Sequence, residues 1–301
     1  MKISYVLLFL VVVFLVAFVI LFHRSLENDV NVYDYYSGGQ RENVESSQII
    51  PLWDEDNIPT ETIYTENTGN YFDGFVPYMT HYEAEGDAKG AVLINPGGDV
   101  QFRSETTEGQ EVAQKLSSLG YVTFVVHYRV RPYTMQERAL DLARAVRYVR
   151  SHADDYQIDE EDIAIIGFSA SGILCGEEVL HYDGFVNGTS LDASYVPDEL
   201  DEVSADVSAV GMIYAFYGRL SVASRDVEML RNANLPPTFY AYGTEAPFYD
   251  EMNASVATLQ EAQVSVDAHV LENMPHGFGI GREDSQWIIP FDEWLSNIFE
   301  N

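Results

Sequence analysis

The chain has 301 residues, enough for one full α/β domain, and its 47% hydrophobic and 13% aromatic content is typical of a globular protein. Its 48 acidic and 16 basic residues give a net charge of −32, which argues against nucleic-acid binding because phosphate contacts need clustered Lys and Arg. The single cysteine, Cys175, excludes an internal disulfide and a cysteine-built metal site.

The chain begins with an almost wholly apolar stretch, residues 3–22, whose length matches the roughly 20 residues that a helix needs to cross a bilayer. No Ala-x-Ala-like cleavage site follows Phe22, which favours an uncleaved anchor over a removed signal peptide. We therefore predict a membrane anchor over residues 1–24 of a single-pass cell-membrane protein. Positive charges flank both ends, so they leave the orientation open, and we favour a domain outside the cytoplasm.

The rest of the chain divides at about residue 60. Residues 25–60 are polar and lack a sustained period, which predicts a stalk or irregular segment. Strands and helices then alternate over residues 61–301, which indicates an α/β domain with a mainly parallel sheet. The predicted strands cover 62–65, 76–83, 91–95, 121–128, 163–166, 207–214, 238–242 and 266–271. The predicted helices cover 108–119, 136–152, 170–180, 249–263 and 284–299.

Two further predictions concern the periphery of this domain. The helix over residues 136–152 carries four arginines on the face opposite its apolar residues, which predicts a solvated face paired with local acids. These are Arg138, Arg144, Arg147 and Arg150. Residues 182–205 are acidic and loop-like, and a connection of that length predicts a functional cap or a mobile segment.

The motif with most chemical content is Gly-Phe-Ser-Ala-Ser-Gly, residues 167–172. It follows a short apolar run typical of a buried parallel strand, and small residues surround Ser169. A sharp strand-to-helix turn needs small residues on both sides, because backbone approaches backbone there. The pattern predicts a nucleophilic serine on a strained elbow, although glycine and serine also mark ordinary turns.

Two motifs elsewhere supply what a nucleophilic serine needs. His276, in Met-Pro-His-Gly-Phe after the last predicted strand, is a candidate for the base that takes the serine proton. Asn-Pro-Gly-Gly-Asp, residues 95–99, also follows a strand and offers backbone amides to a developing oxyanion. The predicted oxyanion donors are the amides of Gly97, Gly98 and Ala170.

These motifs, in this order, resemble the α/β-hydrolase fold, and within it the carbohydrate esterases and lipase-like enzymes that include acetylxylan esterases. That branch carries His-Pro-Gly-Gly-Gly, Tyr-Arg, Gly-Phe-Ser-Ala-Gly-Gly and His-Gly-Phe, which stand here at residues 95–99, 128–129, 167–172 and 276–278. The resemblance implies an eight-stranded-type, mostly parallel sheet with helices on both faces. It implies Ser169 as nucleophile and His276 as base.

The sequence departs from the family pattern at three positions near the predicted oxyanion hole. Ser171 replaces the glycine that closes the elbow, and Asn95 replaces the usual histidine. Asp99 replaces the third glycine, and its charge would oppose an oxyanion unless it points away or pairs with Arg103 or Arg129.

The largest departure concerns the acid of the catalytic triad. The family carries Gly-x-x-Asp after the strand represented by residues 238–242, and Ala246 stands at the place of that aspartate. Glu245 is the adjacent candidate for the acid and Asp250 the next. Loss of the acid of a triad costs about 10⁴-fold in kcat, so the position of these carboxylates decides how active the site is.

The combined reading is a serine hydrolase that cleaves short-chain acyl esters, including acetylated saccharides, with Tyr214, Phe216 and Tyr217 as candidate substrate contacts. A catalytically degenerate surface binding module and a peptidase of the same fold remain alternatives. The histidines lack ligand-like spacing, so we predict no metal and no cofactor. The oligomeric state is left open.

Overall fold

A single eight-stranded sheet organises the chain. The computed structural model describes residues 48–62, 75–219, 222–280 and 286–300. The strands of the sheet are β1 (Gln48–Pro51), β2 (Tyr78–Tyr82), β3 (Ala91–Asn95), β4 (Val122–His127), β5 (Ile163–Phe168), β6 (Ala209–Ile213), β9 (Thr238–Gly243) and β10 (Val266–Leu271). Their spatial order is β1-β2-β4-β3-β5-β6-β9-β10. β2 is antiparallel to both of its neighbours, and the remaining pairs are parallel. The predicted mostly parallel sheet is confirmed.

The central strands are buried on both faces. Every residue of β3, β4, β5, β6 and β9 is buried, although successive side chains of a strand point to opposite sides. Their short runs of Val, Ile, Leu and Phe are therefore what a covered parallel sheet requires. A second, two-stranded sheet pairs β7 (Gly218–Arg219) with β8 (Val222–Ala223).

Helices connect the parallel strands. They are α1 (Glu111–Ser118), α2 (Met135–Ser151), α3 (Ala153–Tyr156), α4 (Ala170–His181), α5 (Val227–Asn232), α6 (Tyr249–Glu261) and α7 (Ile288–Phe299). A π-helical turn, Glu105–Gln110, leads directly into α1. α2 begins with a capping box, in which the Thr134 hydroxyl accepts the Glu137 N–H and the Glu137 carboxylate accepts the Thr134 N–H. The long predicted helices are all present, with ends shifted by a few residues.

The arginine face of α2 is buried, so the prediction of a solvated face is wrong. Arg138, Arg144, Arg147 and Arg150 are each at most 8% exposed. Arg147 donates to the carbonyls of Val203 (2.9 Å) and Val186 (2.6 Å), and Arg150 donates to those of Ser204 (2.6 Å) and Asp206 (2.7 Å). The guanidinium groups donate hydrogen bonds to the carbonyls of an irregular segment that packs over the helix. The amphipathic pattern of α2 alone does not reveal this covering segment.

The covering segment is residues 182–205, which contains two 3₁₀ turns, Gly188–Ser190 and Glu199–Glu202. Arg144 forms a bidentate ion pair with Asp198, and Tyr195 donates to Asp201 (2.6 Å). The acidic character of the segment thus reflects pairing with the arginines of α2. The segment is a packed strap along α2.

The folded domain begins earlier than residue 61. β1 pairs with β2 along four residues, and Leu52 and Trp53 are buried in the core. Trp53 Nε1 donates to Asp141 Oδ1 at 2.8 Å. The prediction that residues 25–60 are wholly irregular is therefore wrong for residues 48–51, because a strand of four residues is too short to show a period. The predicted hairpin strand at 62–65 lies outside the described residues from position 63 onward.

The predicted membrane anchor, residues 1–24, lies outside the described residues. Within the ranges that the structure describes, helices are too short or too polar to cross a bilayer.

Glu178 on α4 yields a prediction about stability. Its side chain is fully buried, and both carboxylate oxygens lack hydrogen-bond partners among the described residues. Burial raises the pKa of Glu178 well above 4.5, with Asp183 and Asp206 adding to the effect and Arg147 and Arg150 opposing it. Above the unfolded-state pKa the folded protein keeps a proton that the unfolded chain has lost, so stability falls as pH rises.

Glu178→Gln removes this titration and keeps the shape of the side chain. We expect its free energy of unfolding to exceed that of the wild type by at least about 1 kcal/mol at pH 8, since one unit of pKa shift corresponds to about 1.4 kcal/mol. At pH 4 the two proteins should be equally stable. Urea unfolding at both pH values measures the difference, and a gain that is independent of pH would contradict the assignment.

Candidate active site

Ser169 lies on a strained turn between β5 and α4. Its backbone has φ 54° and ψ −121°, a conformation that a non-glycine residue rarely adopts. The turn is tight enough that a Cβ at Gly167 would lie 2.4 Å from the Ser171 carbonyl oxygen, and one at Gly172 would lie 2.2 Å from Ala215 Cβ. The small residues around Ser169 are thus required by close backbone approach, as the elbow motif predicts.

Ser171 fits into this turn and ties it to β3. The side chain is fully buried, and its hydroxyl accepts the Phe168 N–H at 2.8 Å. The same hydroxyl donates to the carbonyl of Asn95, the last residue of β3. A serine in place of the family glycine therefore adds a link between the elbow and the strand that carries the predicted oxyanion loop.

His276 lies beside Ser169, in the loop that follows β10. The distance from Ser169 Oγ to His276 Nε2 is 2.8 Å, within hydrogen-bond range. The imidazole ring packs near two aromatic rings, with centroid distances of 4.8 Å to Tyr214 and 6.1 Å to Phe248. The structure thus brings the predicted nucleophile and the predicted base together, although they are 107 positions apart in the chain.

The third member of a triad is missing from the described residues. His276 Nδ1 is buried and has no hydrogen-bond partner among the described residues. Glu245 and Asp250 are both exposed, and neither carboxylate bonds to the imidazole, so the prediction that one of them orients His276 is wrong. Ala246 occupies the turn after β9, is 6% exposed and lacks a polar group. The turn is short and fixed by the bonds from the Glu245 N–H to the Met274 carbonyl and from the Ala246 N–H to the Gly243 carbonyl.

Burial without a carboxylate lowers the pKa of His276 below 6.5. Since the neutral imidazole is the base, we expect the acid limb of the kcat/KM profile to have its midpoint below pH 6.5. A carboxylate introduced at position 246 would stabilise the imidazolium and move that limb to higher pH. Initial rates from pH 4 to 9 measure both positions, and a wild-type limb above pH 7 would contradict the assignment.

Two of the three predicted oxyanion donors are available. No protein acceptor among the described residues takes the N–H of Gly98 or of Ala170. The N–H of Gly97 donates to Glu108 Oε2 at 2.8 Å, so the prediction that it binds the oxyanion is wrong. Gly98 has φ 141°, and a Cβ there would lie 2.2 Å from the Phe102 carbonyl oxygen, so this position requires glycine.

Asp99 points into solvent at the rim of the site. It is exposed, and its Oδ2 accepts a hydrogen bond from Gln101 Nε2 at 2.8 Å. It does not pair with the arginines suggested by the sequence, since Arg103 pairs with Glu105 (2.9 Å) and Arg129 with Asp141 (2.8 Å). Arg129, of the Tyr-Arg motif, is fully buried and structural.

A cavity of about 130 Å³ opens at Ser169. Its lining is mainly apolar and aromatic and comprises Asp99, Val100, Met135, Ser169, Ala170, Ile173, Tyr214, Ala215, Phe216, Phe248 and His276. Of the three predicted substrate contacts, Tyr214 and Phe216 line it. Tyr217 does not, because its side chain turns into the core and its hydroxyl lies 3.0 Å from Thr238 Oγ1. The strap over residues 182–205 contributes no residue to this lining, so the predicted cap is not part of the cavity wall.

Glu108 is the residue near the site that the sequence analysis missed. It is 7% exposed and accepts hydrogen bonds from the Gly97 N–H (2.8 Å) and the Tyr214 hydroxyl (2.5 Å). Its position at the start of a predicted helix is typical of an ordinary acidic first turn. In the described ranges, His, Cys, Asp and Glu side chains do not come together in threes as a metal site would need.

The sequence matches two family profiles that together span most of the sheet. Residues 79–228 match a family described as BD-FAE, and residues 201–280 match one described as alpha/beta hydrolase fold. Two curated relatives are an endo-1,4-beta-xylanase B of Butyrivibrio fibrisolvens, 33% identical over 41% of this chain, and an acetylxylan esterase of Xylanibacter ruminicola, 32% identical over 36%. The matched parts make up 20% and 22% of those relatives, so this chain spans about a fifth of their length.

A solved structure decides the fold. The acetyl ester-xyloside bifunctional hydrolase of Caldicellulosiruptor lactoaceticus superposes with a TM-score of 0.63 at 24% identity, over 84% of this chain and 95% of that one. The chain has the α/β-hydrolase fold. The resemblance inferred from the motifs is confirmed. In this fold Ser169, His276 and the loop after β3 all lie at the carboxyl ends of parallel strands, where ligands bind in such sheets.

Proposed function

We propose that the chain is a serine ester hydrolase with Ser169 as nucleophile and His276 as general base. The proposal rests mainly on the 2.8 Å contact between Ser169 Oγ and His276 Nε2 at the edge of a small, mainly apolar cavity. The strained backbone of Ser169 supports it, because strain of this kind is retained where a side chain must be held in one orientation.

The geometry supports an acyl-enzyme mechanism. Ser169 Oγ attacks the ester carbonyl carbon while His276 Nε2 takes its proton, and the carbonyl oxygen becomes an oxyanion beside the free amides of Gly98 and Ala170. The tetrahedral intermediate breaks its bond to the alcohol oxygen, which receives the proton from His276. A water molecule then attacks the acyl-serine with His276 again as base, which releases the carboxylic acid and restores Ser169.

The cavity favours short acyl groups. Its volume of about 130 Å³ is well below the 300–1,000 Å³ of pockets that hold drug-sized ligands. Phe216, Phe248 and Met135 close it with bulky apolar side chains. Since two similar proteins are named for acetyl esters, acetylated saccharides are the substrate class that we propose.

The test is a chain-length series of p-nitrophenyl esters with the full chain. We expect kcat/KM to be highest for acetate and to fall by about tenfold or more by hexanoate, since the longer chain has to leave the cavity or displace a wall. Release of acetate from acetylated xylo-oligosaccharides would support the saccharide assignment. Preference for octanoate over acetate would contradict the proposed substrate class.

A catalytically degenerate binding module is the second candidate. His276 Nδ1 has no partner among the described residues, which favours this function because an unoriented imidazole is a weaker base. Ester turnover that equals the uncatalysed rate, together with measurable binding of acetylated xylo-oligosaccharides, would select this function over the first.

We also propose that residues 3–22 anchor the protein in the cell membrane with the hydrolase domain outside the cytoplasm. The apolar length of the segment and the missing cleavage site support this proposal. Alkaline carbonate extraction should leave the full chain in the membrane fraction, and protease added to intact cells should degrade the domain. Recovery of the chain in the soluble fraction would contradict the anchor.

A further inference from the structure

The inference concerns Glu108, a buried carboxylate in the π-helical turn before α1. Among the described residues no cationic side chain offsets its charge, and its pKa is raised by burial. A buried carboxylate of this kind is costly and adds little to stability without a partner charge. Its two oxygens are instead each used by a different part of the site, which points to a role in the site.

One oxygen fixes the loop after β3. Glu108 Oε2 accepts the N–H of Gly97 at 2.8 Å, and a Cβ on Gly97 would lie 2.4 Å from the Phe168 carbonyl and 2.8 Å from this same oxygen. Gly97 thus lies between Glu108 and the elbow, and its N–H is bonded to the carboxylate. The next amide, that of Gly98, is the free donor available to the oxyanion.

The other oxygen fixes Tyr214, which stands against His276. Tyr214 Oη accepts the Gly279 N–H at 3.2 Å, so its own proton is directed to Glu108 Oε1 at 2.5 Å. Gly279 belongs to the loop that carries His276. Tyr214 has φ 40°, and its ring centroid lies 4.8 Å from that of His276. A carboxylate bonded to this phenol places negative charge behind the ring that the imidazole contacts.

We infer that Glu108 is the positioning residue of this site, in which the described residues supply no triad acid. It orients His276 through Tyr214 and holds the Gly98 amide through Gly97. The inference rests on the proposed ester hydrolysis. The carboxylate does not touch the substrate or the imidazole; it links the loop after β3, the residue after β6 and the histidine loop into one arrangement.

The decisive variants are Glu108→Gln and Tyr214→Phe in the full chain. Glutamine has a similar shape, but it cannot accept two hydrogen bonds with its two terminal atoms. We expect kcat for p-nitrophenyl acetate to fall by about 10²-fold, the size of effect seen when one oxyanion donor is lost, with KM changed by less than about threefold. Tyr214→Phe keeps the ring against His276 and should lower kcat by about tenfold. The double variant should be no worse than Glu108→Gln, because Glu108→Gln already disrupts the bond to Tyr214 that Tyr214→Phe removes.

A transition-state mimic separates positioning from a general structural role. A short alkyl boronic acid forms a tetrahedral adduct with the serine, so its inhibition constant should rise by the same factor as kcat/KM falls. The matched control is Glu178→Gln, another buried carboxylate changed to its amide, which should leave kcat and the inhibition constant unchanged. Thermal unfolding of each variant reports whether it is folded.

The outcomes distinguish the inference from the function on which it rests. A wild-type chain that neither hydrolyses the ester nor binds the boronic acid overturns the proposed function. If the wild type is active and Glu108→Gln has a kcat and an inhibition constant within about twofold of the wild-type values, the inference is overturned. It is also overturned if only KM rises in Glu108→Gln. Should Glu108→Gln fail to fold, Tyr214→Phe decides, and its equality with the wild type in both quantities overturns the inference.

Discussion

Ala246→Asp is expected to raise kcat for p-nitrophenyl acetate by about 10²–10⁴-fold, since the acid of a Ser-His-Asp triad contributes about 10⁴-fold. The turn that carries Ala246 is bonded to Met274, two residues before His276, and Phe248 on the same turn contacts the imidazole. A carboxylate here would accept the proton of His276 Nδ1, which has no partner among the described residues. It would fix the tautomer and stabilise the imidazolium. The same variant should move the acid limb of the pH profile upward.

Two controls make this result specific. Pro247→Asp adds the same charge at an exposed position on the same turn and should leave kcat unchanged. Glu245→Gln removes the carboxylate next to Ala246 and should also have no effect, because Glu245 is exposed and lies away from the imidazole. If kcat fell tenfold in Glu245→Gln, or did not rise in Ala246→Asp, the lack of an acid at position 246 would not be what limits the rate.

Ser169→Ala is expected to lower kcat by at least about 10³-fold, to the rate that the oxyanion amides and binding can support without a nucleophile. The substitution is small, and the hydroxyl's hydrogen bond is to His276, so folding should be unaffected. Initial rates with p-nitrophenyl acetate measure the loss.

Ser171→Ala is the matched control, since it removes a hydroxyl two residues away. That hydroxyl bonds to Phe168 and Asn95 and faces the core, so its loss should reduce stability and leave the acyl-enzyme chemistry in place. Equal rates for wild type and Ser169→Ala would mean that any turnover comes from another group, such as the bare imidazole.

The parts of the site that depend on local backbone constraints could be predicted from the sequence. At Gly167 and Gly172 a Cβ would lie less than 3 Å from neighbouring atoms, so the elbow needs glycine at both positions. The glycine pattern in the sequence therefore predicts the elbow. β3, β5 and β9 are mainly apolar runs with a glycine at or just past the end. The order of these strands and of the motifs that follow them predicted the mostly parallel topology and the placement of His276.

What the sequence could not reveal is long-range pairing of polar groups. Arg147 and Arg150 looked like a solvated helix face. Apart from Glu160, their carbonyl partners lie 37 to 56 residues away, in the strap or directly after it. Glu108 looked like an ordinary first-turn acid until the fold placed it beside Gly97 and Tyr214, 106 positions further on. Helical periodicity reports which face is apolar, and it carries no information on which carbonyls or hydroxyls cover the other face.

The sequence shows Ala246 at the position of the triad acid, but it does not show whether a neighbouring carboxylate takes over that role. Sequence proximity made Glu245 and Asp250 plausible substitutes. The turn after β9 is fixed by bonds to Met274 and Gly243, and this geometry turns both carboxylates to solvent.

The most direct measurement is the intact mass of the full chain after exposure to a fluorophosphonate, for wild type and Ser169→Ala in parallel. A serine nucleophile activated by His276 forms one covalent phosphonyl adduct, so the account predicts a single mass increase in the wild type and none in the variant. Equal labelling of both proteins, or no labelling of a folded wild type, would contradict it.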